Sequence, residues 1–215
     1  AASSNFFVEA LQSKEPAIYA IFLIGILTIG LILERFMALS RYSIEKTEFN
    51  DHIFGAVLRG DIRGAITFCD SKPAPLTNTV KEGLIQVLNH RPDEEVQVAM
   101  DASVLRETPK VEGWVSFLAV FGNLSTLAGL VGTIMGMITS FHGVSKMDGA
   151  QKATELSKGI SQALHSTALG LIVALVAILA YGYFQVRIGR LINDMVESSM
   201  RLMNVVVANR EKMKE

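Results

Sequence analysis

Between Gly113 and Ser145 the chain runs for 33 residues without an Asp, Glu, Lys or Arg. As a helix at ~1.5 Å per residue, that length exceeds the ~30 Å hydrocarbon core of a bilayer. The stretch is apolar enough for lipid, yet glycine, serine and threonine interrupt it repeatedly, which predicts a membrane helix built to touch other helices. Gly132 and Gly136 form a GxxxG pair that lets a neighbouring backbone approach. Thr126, Thr133 and Ser140 recur every seven residues and so share one face, a polar seam.

Two further segments have the same character. PAIYAIFLIGILTIGLIL, between Glu15 and Glu34, is long enough to span. Gly159 to Val186 is again free of Asp, Glu, Lys and Arg. On it Ser166, Gly170 and Ala174 make a row of small residues at four-residue steps, and Gln162, His165, Ser166 and Thr167 gather polarity near its start. With 50% hydrophobic and 19% charged residues, the chain is too apolar for an average soluble domain and too charged to lie wholly in lipid. It must be partitioned.

The charged remainder falls in two blocks. From Ser40 to Glu112, apolar residues recur at helical spacing between proline and glycine breaks. Ile44, Phe49, Ile53, Phe54, Val57 and Leu58 predict one helix face ending near Gly60. Asp61 predicts the cap of a short helix carrying Ile62, Ala65, Ile66 and Phe68, with Cys69 as a half-buried helix residue. A third helix is expected from about Leu76 to Leu88. A fourth, opening on Asp93, Glu94 and Glu95, is expected to run on past Trp114 with a bend at Pro109. The tail from Arg187 is amphipathic and continues the last span into water. Lys and Arg number ten in residues 35–112 and six from 187 onward, against one before residue 17 and three in 143–158. This asymmetry puts the large loop and tail in the cytoplasm and the N-terminus outside.

The expected fold is therefore an all-α polytopic membrane protein with three transmembrane helices extended into a cytoplasmic helical bundle. Its segments are an interfacial amphipathic helix (1–16), a first span (17–39), a cytoplasmic helical domain (40–112), a second span (113–144), a periplasmic loop (145–157), a third span (158–186) and an amphipathic tail (187–215). A cleaved signal peptide is the less favoured reading of the first segment, since a basic n-region and an A-x-A-like site are missing.

Catalytic chemistry finds no foothold in the residues. There is no GxxxxGK[ST] or strand-linked GxGxxG, and no Ser/His/Asp or Cys/His set in a supporting context. Cys69 is the single cysteine, and the histidines have no companions at ligand spacing, so neither a catalytic centre, a metal site nor a cofactor is expected. A net charge of -1 gives no reason to expect nucleic acid. Membrane lipids are the expected surroundings of the spans. Thr133 and Thr167 stand out because a hydroxyl both donates and accepts where a charge is too costly. The competing reading is that each hydroxyl only bonds the carbonyl one turn back. Thr126, Ser140, Gln162 and His165 are further candidates for polar lining, and Gly132, Gly136, Ser166, Gly170 and Ala174 for helix packing. The dyads Glu34/Arg35 and Glu107/Lys110 read as solvated anchors at the membrane boundary.

GLVGTIMGMITSF (Gly129 to Phe141) and GISQALHSTALGL (Gly159 to Leu171) resemble the ExbB/TolQ/MotA proton-channel family, with the ExbB/TolQ branch closest. LERFMALSR, RGDIRGAITFCD, KPAPLTNTVKEGL and the order of three spans around a large first loop extend the resemblance over most of the chain. It implies a subunit of an ion-driven motor of the inner membrane, five copies of which surround a dimer of a single-span ExbD/TolR/MotB-like partner carrying an intramembrane aspartate. It also implies that Thr133 and Thr167 line the ion path. The sequence departs from the family pattern at Gln162, where ExbB and TolQ usually have glutamate, and at Thr126 and Val176, where prolines are common. The transported ion thus stays open between proton and sodium. A membrane scaffold that conducts no ion is the alternative from another class.

Overall fold

The computed structural model describes residues 16–42, 44–145 and 149–209, and all secondary structure among them is helical. The segment expected as an interfacial helix at 1–16 lies outside these residues except for Pro16. The helices are α1 (Pro16–Tyr42), α2 (Lys46–Leu58), α3 (Ile62–Ser71), α4 (Pro75–Leu88), α5 (Asp93–Glu112), α6 (Ser116–Val144) and α7 (Gly149–Asn209). Three stretches, within Pro16–Leu58, Asp93–Val144 and Gln151–Asn209, are long and apolar enough to cross a membrane.

The chain divides into two compact units, one of Ala1–Glu34 with Trp114–Tyr183 and one of Arg35–Gly113 with Phe184–Glu215. In the first, Ile18 and Ile21 of α1 pack with Leu169 of α7, flanked by Phe22, Ala128 and Val173. Most large apolar residues elsewhere in this unit point outward, as lipid-facing residues do, although Leu118 is buried: Leu130, Ile134, Leu171 and Leu175 are each about half exposed or more.

The second unit is arranged the other way. Phe49, Ile53 and Val57 of α2, Val80 and Leu84 of α4, and Met195 and Leu202 of α7 are all buried. Asp61 caps α3, its carboxylate accepting from Gly64 N–H at 2.9 Å. Pro75 opens α4 at a position where a missing N–H costs nothing. Glu112 ends α5, and Gly113 follows at φ 47° with its N–H donating to Pro109 O at 2.9 Å.

Four sequence expectations need correction. The fourth helix does not run on past Trp114. It stops at Gly113, whose positive φ favours glycine and where a Cβ would collide with the Arg35 guanidinium, while Pro109 stays inside the helix. Residues 149–157 are not a loop but the opening turns of α7. On α2, Leu58 is exposed, and Asn50 and Ala56 take its place on the buried face. Cys69 is fully rather than half buried, and burial pushes its thiol pKa up to about 12.

Candidate functional site

Helices α6 and α7 meet along small residues, and the approach is closest where two glycines face each other. A Cβ on Gly170 would stand 2.5 Å from Ser125 O and 3.1 Å from Gly129 Cα, and one on Gly129 would stand 3.0 Å from Ser166 O. Neither position tolerates a side chain without the helices parting. Further along, a Cβ on Gly132 would meet Ser166 Oγ at 2.6 Å and Ala17 of α1 at 3.0 Å. One on Gly122 would meet Ile178 at 3.1 Å and Ala174 O at 3.5 Å.

This close approach puts hydroxyls of one helix against carbonyls of the other. Ser125, fully buried, donates to Gly170 O at 3.1 Å. The carbonyl of Gly129 is within reach of three hydroxyls: Thr167 at 3.0 Å, Thr133 at 3.1 Å and the fully buried Ser166 at 3.3 Å. Ser166 also donates to Ala163 O at 2.7 Å, and Thr133 lies 3.5 Å from the same oxygen. Thr133 and Thr167 are in direct hydroxyl–hydroxyl contact. A carbonyl has two lone pairs and each hydroxyl has one proton, so this is a network whose bonds can exchange partners.

Of the predicted residues, Thr133, Thr167, Ser166 and Gly132 come together around the Gly129 carbonyl, with Gly170 and Ala174 on the same helix contact. Thr126 does not join them. It is exposed and donates at 3.2 Å to Gly122 O in its own helix, as Ser140 does to Gly136 O at 2.8 Å. Gln162, His165 and Gly136 are half-buried. Thr133 bonds the carbonyl one turn back, and that same Gly129 oxygen also accepts from Thr167 of the other helix.

The sequence reading missed Ser125 and Gly129. The signal was present as two pentapeptides, STLAG at 125–129 and STALG at 166–170, each a serine four residues before a glycine. On antiparallel helices the two motifs clasp reciprocally, Ser125 reaching the Gly170 carbonyl and Ser166 that of Gly129.

The boundary dyads are also corrected: Arg35 and Glu107 are buried rather than solvated, with Glu107 accepting from Lys110 at 2.7 Å. Among the described residues, no group of three His, Cys, Asp or Glu is placed to hold a metal ion.

Residues 71–197, which include both clasp motifs, match the MotA/TolQ/ExbB proton channel family. The chain belongs to that family. Among curated relatives, it is similar to the Tol-Pal system protein TolQ of Pseudomonas aeruginosa, 40% identical over 44% of this chain and 40% of the relative. It is also similar to the biopolymer transport protein ExbB of Salmonella typhimurium, 37% identical over 34% of this chain and 30% of the relative. A putative ExbB-like protein of Synechocystis aligns more fully, at 28% identity over 78% of this chain and 80% of its own length. The chain spans about two fifths of the length of the TolQ relatives it matches.

Proposed function

We propose that this chain is the stator subunit of an ion-driven motor in the bacterial inner membrane. Five copies enclose a dimer of a single-span partner of the ExbD/TolR/MotB kind, and proton, or alternatively sodium, motive force is turned into mechanical work. The supporting observation is the exchangeable hydroxyl network around the Gly129 carbonyl, in charge-free stretches of two helices of a chain that belongs to a proton channel family.

The chemistry divides between two proteins. Among its uninterrupted apolar stretches this chain carries no carboxylate, so the group that takes up and releases the proton is an intramembrane aspartate of the partner. Thr133 and Thr167 offer that carboxylate donors when it is charged and acceptors when it is neutral, without adding a fixed charge to the membrane. Moving one charge down 100 mV releases ~2.3 kcal/mol for mechanical work. The Lys and Arg asymmetry supports an orientation with the second unit in the cytoplasm, where it anchors the spans.

Motor output in cells that express the chain with its co-encoded single-span partner tests this reading. Thr133→Val and Thr167→Val keep side-chain volume and remove the hydroxyl. Loss of output while the partner still co-purifies supports the ion path. Full output from both variants returns the threonines to packing and makes the non-conducting scaffold the better account.

A further inference from the structure

In the second unit, two helices leave apolar stripes uncovered. Helix α5 buries Val96, Met100, Ser103, Glu107 and Val111. On its other side Val98, Ala102, Leu105 and Pro109 form an exposed row at alternating four- and three-residue steps, with Leu105 75% and Val98 65% exposed. That spacing makes the seam of a coiled coil, and the charges along α5, from Glu94 to Glu112, mark it as a helix that lies in water. Helix α7 has a second row. Val186, Asn193, Met200 and Val207 follow one another at seven-residue steps, and the three apolar members are each more than half exposed.

The two stripes point away from a shared centre. A Cβ on Gly83 of α4 would touch both Met100 of α5, 2.6 Å from its sulfur, and Leu202 of α7 at 3.4 Å. Helix α4 therefore lies between them, and each stripe is on the face opposite its helix's buried residues. A subunit with two different adhesive seams on different sides joins copies head to tail, the arrangement that closes rings.

We propose that the α5 stripe of one copy docks antiparallel on the α7 stripe of the next, in the register that sets Leu105 on Met200 and Val98 on Val207. This register is apolar throughout, because Ala102 then meets Met203 and Pro109 meets Val196. A slip of one heptad would set Leu105 on Asn193. The same register brings Arg106, paired with Glu82 in its own chain, beside Glu197, paired with Lys46 and Arg201 in its own, so the ion pairs flanking the two stripes join into one network across the seam. The surface rests on the homo-oligomer of the proposed function but not on its ion path.

Disulfide trapping tests the surface. Two tagged forms of the full chain, one Leu105→Cys and one Met200→Cys, are co-expressed and oxidised in membranes with copper phenanthroline. Both substitutions are at exposed positions, and Cys69 is buried, so the native thiol stays out of the reaction. The expected product is a mixed disulfide carrying both tags, while neither variant expressed alone cross-links, since Leu105 faces Met200 and not itself. Native mass spectrometry of the same preparation gives the copy number. An oligomer without the mixed disulfide, or one in which Leu105→Cys copies join each other, overturns this surface and leaves the ion path standing. A monomer overturns the surface together with the homo-oligomer beneath it.

Discussion

The two units of the chain solve the same packing problem in opposite ways. The membrane unit joins α6 to α7 through small and hydroxyl residues and leaves most of its large apolar ones outside: Ser125 and Ser166 are fully buried, while Leu171 is 52% exposed. The second unit buries its large apolar side chains, among them Leu84 at 0% exposure. The difference follows from the solvent. Water drives apolar surface together, so the second unit gains by burying volume. Lipid gives no such drive, and helices gain there by close backbone approach and by hydrogen bonds across the contact.

The largest expected contrast is chemical. Burial raises the Cys69 pKa to about 12, so at pH 9 its folded thiol should alkylate on the order of a hundredfold or more slowly than a free cysteine of pKa ~8.5. Because folding favours the protonated thiol, this contribution to stability is complete below pH ~8.5 and declines as pH rises toward about 12. Iodoacetamide labelling before and after denaturation measures it. Rapid labelling of the folded protein would show that the core of the second unit is not dry.

Leucine truncation should distinguish the units next. Leu84→Ala leaves a cavity in the water-driven core and should cost ~2–5 kcal/mol, while the lipid-facing Leu171→Ala should cost less than ~0.5 kcal/mol. Equal costs in a detergent unfolding titration would break the comparison. In the membrane unit, adding volume should hurt more than removing it. Gly170→Ala pushes a methyl toward Ser125 O and should cost ~1–3 kcal/mol in the same assay. Ser125→Ala removes only one interhelical hydrogen bond and should cost ~0.6 kcal/mol, the smallest resolvable change.

What the sequence made legible follows the same division. The spans are recorded in long uncharged runs, and Asp61 announces its helix because a cap is a local interaction, settled within three residues. The α6–α7 contact was half legible. Gly132 and Gly136 attracted notice as a pair within one helix, but the tightest approach pairs Gly129 with Gly170, which are far apart in sequence. Seven-residue spacing picked out Thr126, whereas its neighbour Ser125 faces α7; the two differ by one step of ~100° around the helix, and only the partner helix decides between them. Pro109 drew the expected bend because proline lacks a donor, yet the helix ends at Gly113, where a seated Arg35 guanidinium excludes any side chain. Long-range steric exclusion of that kind leaves no local mark beyond the glycine itself.

The most direct test of the central claim is ion flux through proteoliposomes that hold the chain and its single-span partner, comparing wild type with Thr133→Val under a proton gradient and under a sodium gradient. The account predicts that one gradient sustains flux in wild type and that flux is lost in the variant while the complex remains assembled. Undiminished flux through the assembled Thr133→Val complex would contradict it.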